Sequence, residues 1–515
     1  MILIIVLILL LPESASGQTN IEFRDITMDS GLHGPLQGMM GHAAAWGDFD
    51  QDGLPDLFVG GFCDRPDSGY APAAGPVATK LFHNRGNEKW EAVTNSPVVF
   101  CGRTSAAVFA DLNNDGFPEL YAANNAKSVS NKKEERQRTA QTMLSKLFKN
   151  VRGRFQDASK DSDAAPADNL SARNIGIFDY NNDGLLDLFI VEDKFRKGRP
   201  RSVLLKNTGN LKFRNANDEA GIPNDIYGLG LAIADLNNDG RPDFFVPHSN
   251  RLFLSLPGSK YREATELQKV FEWNPLDNED WPCGAAFGDL NVDGNLDLVV
   301  TAHHDPAQNK VYINHGLKSG VPVFADATEK AGLAHSVPAK TPHVEIQDFN
   351  NDGLPDIYTT AAWKEGNQVI PLIYLNEGMQ KDGFPRFKPI RIIKRGMIYF
   401  PTGPTADFNG DGKLDIFLAS WFPAEPSHLL RNQTKGGNYI QVQAPIGSKI
   451  KVMSSGKLIG YQQLYIGFGF AGGHLPVCHF GLGNTRTVDL EVTLPNGIVH
   501  RKKNTTVNTK IEFKE

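Results

Sequence analysis

At Asp48 the sequence reads DFDQDGLPD, with carboxylates at positions one, three, five and nine of a nine-residue stretch and Gly53 at position six. Oxygen side chains at alternate positions of a tight turn, plus the backbone carbonyl at position seven, form the donor set of a hard cation such as Ca²⁺. Glycine at position six admits the left-handed bend such a turn needs. The donors in this first loop are Asp48, Asp50, Asp52, Leu54 through its carbonyl, and Asp56. The pattern recurs six times: Asp111, Asn113, Asp115, Phe117 and Glu119; Asp179, Asn181, Asp183, Leu185 and Asp187; Asp235, Asn237, Asp239, Arg241 and Asp243. The last three are Asp289, Asn291, Asp293, Asn295 and Asp297; Asp348, Asn350, Asp352, Leu354 and Asp356; Asp407, Asn409, Asp411, Lys413 and Asp415.

Asp-Gly and Asn-Asp pairs make good turns without any metal. Turn-making explains the glycine but not an acid at positions one and five in every copy, so the loops are read as sites for up to seven Ca²⁺ ions. The first loop has four carboxylates and the others three each, and fewer charges weaken binding. The first should therefore bind most tightly, with all seven near the roughly 10⁻⁴–10⁻³ M range of extracellular modules. An EF-hand would need flanking helices and a glutamate at position twelve. Here Leu57, Phe58 and Val59 follow at once, so the ion is a structural clip.

The elements that position these loops repeat with them. Loop starts are 63, 68, 56, 54, 59 and 59 residues apart, a spacing suited to propeller blades with long loops. Before each loop lies a small-residue strand such as GHAAAWGD, and after it an apolar strand such as LFVGG. A third strand ends near Asn-Gly, as in LLKNTG, and a fourth reads aromatic-x-Asp-like, as in FADAT. Four short strands per unit make a propeller blade. The seventh unit lacks its fourth strand, and IEFRDITMDSGL at 21–32 matches FADATEKAGL at 324–333. The reading is an all-β chain: a seven-bladed β-propeller over 18–430, closed by an N-terminal strand at 21–28, then a small β domain over 431–515.

The seven Asp-x-Asx-x-Asp-Gly-x-x-Asp/Glu loops resemble the FG-GAP or VCBS repeats of integrin α-subunit propellers. The tail, with GGNYIQVQ, IGSKIKV and CHFGLGNTRTVDLEVTLPNG, looks like an ASPIC/UnbV domain, so the mature chain is similar to the cartilage acidic protein family. The resemblance implies a secreted calcium-binding matrix or cell-surface protein. Vertebrate members carry a further cysteine-rich EGF-like module that this sequence does not show, so nothing housed there is expected. Before HFGLG, where the family usually has Ser-Gln, this sequence reads GFAGGHLPV.

The opening MILIIVLILLLPESASGQ is an apolar run ending in a small-x-small cleavage pattern, read as a signal peptide over 1–17 and hence secretion. It is too short to span a bilayer, and no other segment is apolar enough for a transmembrane segment. In an oxidising compartment Cys63 with Cys101, and by elimination Cys283 with Cys478, are disulfide candidates. Asn169, Asn432 and Asn504 head glycosylation sequons.

His303-His304-Asp305 is the one run of clustered histidines, and no Gly-x-Ser-x-Gly, His-Glu-x-x-His or Cys-x-x-Cys pattern accompanies it. Carboxylates held by a cation make poor general acids. The chain is therefore read as a non-enzyme, the alternative being a secreted hydrolase or lyase acting on polysaccharide in the propeller channel. Of 59 acidic residues 22 lie in the loops, leaving 37 against 53 basic ones. Filled with calcium, the protein should attract polyanions. The partner expected is an extracellular protein or a glycosaminoglycan, with nucleic acid excluded by the lack of an aromatic-lined basic groove. The segment 132–154 reads as a short basic helix.

Overall fold

In this computed structural model, which describes residues 21–125, 144–165, 171–193, 202–275, 281–303, 309–333, 341–365, 368–392 and 399–514, every acidic loop ends where a strand begins. Position nine of each loop, from Asp56 to Asp415, is the first residue of the strand that follows. The loops thus join the first and second strands of seven antiparallel sheets.

Unit 1 consists of Gly41–Gly47, Asp56–Gly61, Lys80–Asn84 and Trp90–Ala92. Units 2 to 6 repeat this order, with first strands Thr104–Ala110, Ala172–Phe178, Ala232–Ala234, Pro282–Gly288 and Val344–Gln347. In unit 7, Thr405–Ala406, Asp415–Leu418 and His428–Asn432 are joined by Phe23–Asp25 as fourth strand. Phe23 pairs with Asn432 and Asp25 with Leu430, so the two ends of the repeat region share one sheet.

The second strands are buried on both faces, as the run Asp56–Gly61 shows, which is why they read as continuous apolar stretches. Core clusters lie between units: Phe178, Phe189, Phe244 and Phe253 belong to neighbouring units 3 and 4 and pack in one cluster. Third-strand asparagines sew units together. Asn150 Nδ2 donates to the carbonyl of Phe49 at 2.8 Å, Asn207 to Leu112 at 2.7 Å and Asn432 to Phe349 at 2.9 Å, each reaching the preceding unit. Asn84 makes the same bond to Phe408, from unit 1 to unit 7, at 3.1 Å.

The tail has a three-stranded sheet (Val477–Gly483, Asn438–Gln443, Thr509–Glu512) and a four-stranded one (Lys457–Gln463, Lys449–Ser454, Thr487–Thr493, Val499–Thr506). Their shared core includes Ile440, Ile450, Val452, Phe480, Leu490 and Val492. Between strands Lys457–Gln463 and Val477–Gly483 the tail sends Ile466–His474 among the first strands of the repeats. Ala44 and Ala45 pair with Gly472 and Gly473, Ile177 with Ile466, and Leu231 with Gly469. Gly469 N–H also donates to Ala285, Asn174 caps Gly467 and Ala471, and His343 and Thr402 meet the carbonyl of Phe470. A Cβ on Gly473 would sit 2.5 Å from the carbonyl oxygen of Ala107, and one on Gly467 1.9 Å from that of Ile175. All seven units therefore touch this segment, and only glycine fits where it passes closest. The departure GFAGGHLPV thereby gains a structural task.

The basic helix expected over 132–154 does not hold for its second half, since Lys146–Asn150 is the third strand of unit 2. Residues 132–143 and the signal segment 1–17 lie outside the described residues.

Candidate functional site

Each loop is held by its own side chains before any ion is considered. The position-one aspartate accepts from the backbone N–H groups of positions five and six: Asp48 from Asp52 at 3.1 Å and Gly53 at 3.0 Å, Asp179 from Asp183 at 3.2 Å and Gly184 at 2.7 Å. The position-five aspartate accepts from the N–H of position seven, as Asp115 does from Phe117 at 3.0 Å. The bend is left-handed at position six, with φ between 79° and 96° at Gly53, Gly116, Gly184, Gly240, Gly294, Gly353 and Gly412. Position four is also left-handed, which explains its run of asparagines at 114, 182, 238 and 351. Two of those asparagines have a second task that sequence reading missed: Asn114 Nδ2 donates to the carbonyl of Gly184 and Asn351 Nδ2 to that of Gly412, each at 2.9 Å, joining consecutive loops.

Position nine is the buried anchor. One carboxylate oxygen accepts from the N–H of position two and the other from a third-strand N–H, as Asp56 does from Phe49 at 3.1 Å and Asn84 at 2.8 Å. Asp56, Asp187, Asp243, Asp297, Asp356 and Asp415 and Glu119 are all fully enclosed. Burial pushes Asp56, Glu119 and Asp187 up to about 8 and Asp243 to about 7, despite the hydrogen bonds. Desolvation disfavours the charged form, and a cation alongside reverses that preference.

The residues fit Ca²⁺. The donors are all oxygen, and single oxygens of Asp48, Asp50 and Asp56 lie within 4.8 Å of one another. Oδ1 of Asp50 is buried without a hydrogen-bond partner, an unmet demand that a cation answers. His83 Nε2 stands 3.0 Å from Asp50 and 3.2 Å from Asp52 at the same loop.

The tail covers some loops and leaves others open. At unit 6, His479 Nε2 lies 2.7 Å from Oδ1 of Asn351, and Asp348 is only 4 % exposed. At unit 7, Gln441 donates to Asp407 at 2.9 Å. Loop 4 differs in kind: Lys449 of the tail ion-pairs with Asp235, and Arg241 pairs with Asp239 at 2.8 Å. Loops 3 and 7 each have one cation beside the position-five acid, Lys206 at Asp183 and Arg431 at Asp411, whereas loop 4 faces two, one of them on its position-one carboxylate.

Other sequence candidates fare variously. Asn432 is buried with its amide nitrogen donating to Phe349, so the folded protein does not offer that sequon for glycosylation; Asn504 is exposed, and Asn169 lies outside the described residues. No disulfide joins the four cysteines in this structure. Cys63 and Cys101 adjoin, Cys63 N–H donating to Gly102 at 2.8 Å, but Cys283 packs with Ile466 and Phe470 while Cys478 sits in the tail core. Pairing those last two by elimination fails because they belong to different cores. His303 stacks on Trp281 with ring centroids 5.5 Å apart, and residues 304–308 lie outside the described residues. Among the described residues no helix is long and apolar enough to cross a membrane.

A β-propeller-like array of four-stranded sheets, each carrying one acidic nine-residue loop on a shared hydrogen-bond frame, defines the class. The chain belongs to the FG-GAP-like repeat family, which matches residues 48–122, 179–246, 289–359 and 348–418, and its tail matches ASPIC and UnbV over 441–515. It is similar to cartilage acidic protein 1 of Homo sapiens, 23 % identical over 426 residues that cover 77 % of this chain and 60 % of that one. It is also similar to integrin alpha pat-2 of Caenorhabditis elegans, 29 % identical over 225 residues covering 38 % of this chain and 18 % of the relative. The chain thus spans about 60 % of the length of the cartilage acidic relatives it matches. Among solved structures, an Agrocybe aegerita lectin aligns with a TM-score of 0.42 at 15 % identity, covering 74 % of this chain and 86 % of that one.

Proposed function

We propose that the protein is a secreted, calcium-stabilised interaction protein of the extracellular matrix or cell surface, and not an enzyme. In this reading the seven sheets are blades of a closed seven-bladed propeller over residues 18–430, followed by a β domain over 431–515. The observation that carries it is the shared loop frame: each turn holds a buried position-nine carboxylate with no ion-pair partner among the described residues, and in the first loop the oxygens of Asp48, Asp50 and Asp56 converge within 4.8 Å. Asp56 and Glu119 are examples. The bond from Asn84 to Phe408 and the pairing of Phe23 with Asn432 support ring closure. We also propose that Cys63 pairs with Cys101 outside the cell.

Ca²⁺ would be held by the donors of positions one, three, five, seven and nine, and its chemistry there is charge neutralisation. The partner is an extracellular protein or a glycosaminoglycan. With the loop acids neutralised, the rest of the chain carries 37 acidic against 53 basic residues, a balance that draws sulfated polyanions. Heparin affinity chromatography at fixed ionic strength, with calcium or with chelator, tests the reading. Retention should strengthen with calcium and fall steeply with salt. Retention indifferent to calcium, together with a thermal melt unmoved by chelation, would remove it.

A further inference from the structure

Outside the acidic loops, three buried side chains from distant parts of the chain converge on one point. His343-Val344-Glu345 opens the first strand of unit 6, and the period of two along a strand puts His343 and Glu345 on one face. His474, at the end of the tail segment threaded among the first strands, meets that face. Nε2 of His343 lies 3.0 Å and Nε2 of His474 3.2 Å from the same Oε1 of Glu345. One ligand atom from each residue lies within 4.8 Å of the other two. His343 and Glu345 are fully enclosed and His474 is 5 % exposed.

We propose that His343, Glu345 and His474 form a site for one divalent transition-metal ion of the Zn²⁺ class, which pins the tail segment to unit 6. Ligands about 2.0–2.1 Å from a tetrahedral ion stand about 3.3 Å apart, so both observed separations need little adjustment. His343 and Glu345 have the supporting bonds of ligating groups, whereas Nδ1 of His474 is buried with no hydrogen-bond partner among the described residues. Nδ1 of His343 lies 2.8 Å from the carbonyl oxygen of Phe470 and 3.2 Å from its nitrogen; in the tautomer that donates Nδ1–H to that carbonyl, Nε2 is free to ligate. In that tautomer the Nε2 lone pair faces Oε1 of Glu345, which also accepts from the backbone N–H of Thr405 at 2.9 Å, and a cation between nitrogen and oxygen relieves their repulsion. A second imidazole aimed at the same oxygen makes that charge a point with three donors. The other oxygen of Glu345 accepts from Thr405 Oγ1 at 2.5 Å and Gln347 Nε2 at 3.2 Å, the kind of support a ligating carboxylate receives. Phe468 lies flat on the His474 ring, centroids 4.0 Å apart, and fixes its plane.

Nitrogen donors separate this site from the oxygen-only loops, since imidazole suits zinc-like ions and calcium takes oxygen. Of the three ligands, His474 also lines a neighbouring cavity of about 330 Å³, with Phe468, Gln347 and Thr405, from which a water would serve as fourth ligand.

The test is titration of the full chain, stripped of metal and returned to saturating calcium, with Co²⁺ followed by its visible absorption. One equivalent with a tetrahedral spectrum is expected, lost in His474→Ala and His474→Gln and kept in His83→Ala, which removes the imidazole at the first acidic loop. A folded wild-type protein that takes up no Co²⁺ in saturating calcium overturns the proposal, and assigns the cluster to protonated histidines on Glu345. Uptake unchanged in a folded His474→Gln protein overturns it too. If neither His474 variant folds, the wild-type spectrum decides, because a site of oxygen ligands alone would give an octahedral one.

Discussion

The ammonium of Lys449, in the tail, sits on Oδ2 of Asp235, the position-one carboxylate of the fourth acidic loop, 214 residues away. Arg241 takes Asp239 in the same loop, so the three carboxylates of loop 4 already face two cations. Binding strength follows ligand charge. Calcium titration by equilibrium dialysis should therefore count one ion fewer than there are loops, and Lys449→Met should add one. A wild-type count equal to the number of loops would show that Lys449 yields its place.

Calcium should raise Tm, and each loop should contribute largely its own increment, because each holds its own donor set and the blades contact mainly their neighbours. With roughly 1 mM calcium and a Kd near 10⁻⁴ M, one site is worth about 1.4 kcal/mol. Asp48→Asn should cost about that much in calcium and much less in chelator. An equal loss in both conditions would assign Asp48 only to the hydrogen bonds from Asp52 and Gly53.

The metal-free protein should respond to pH with an unusual sign. Burial raises the folded-state pKa of Asp56, Glu119 and Asp187 from ordinary carboxylate values to about 8. The folded state then binds more protons than the unfolded chain between about pH 4 and 8, so stability is fully present below that window and is lost as pH rises through it. Chelated protein should melt higher at pH 5 than at pH 8, and added calcium should raise Tm more at pH 8. Melting curves at the two pH values check both signs.

Residues just after Phe23–Asp25 should matter far beyond their terminal position. Ile26 is 3 % and Leu32 0 % exposed in a core shared with Phe408, Phe417 and Leu429 of unit 7. Ile26→Ala should cost about 2–5 kcal/mol, whereas Met28→Ala, at a side chain 72 % exposed, should stay within about 0.5 kcal/mol. Denaturant melts of the two variants should differ accordingly.

What could be read from the chain was what is local and repeated. Acids at fixed spacing, the Asn-Gly turn and the alternation of strands are all visible within a few dozen residues, and matching residues 21–32 to 324–333 located a strand for unit 7. Contacts that join distant segments were not visible. Nothing near Lys449 announces Asp235, and FGFAGGH looks like turn-rich linker until its glycines are seen passing carbonyls at closest approach. Asn432 satisfies the sequon rule, yet its amide is spent inside the fold on Phe349. His343 and Glu345 did carry a signal, the two-residue step of one strand face, but their third member lies 129 residues beyond Glu345.

The threading of Ile466–His474 through the middle of the repeats also sets an order of events during synthesis. A chain grows from its N-terminus at about 5–20 residues per second, and its early units fold as they emerge. Phe23–Asp25 must wait for His428–Asn432, and the small-residue strands of all seven units must wait longer still, for the segment ending at His474. Until then the nascent protein holds an unpaired strand edge and an unfilled apolar centre, the two features that invite association with other chains. A chain that stops short of Ile466 therefore lacks the segment that the first strands of the repeats pack around.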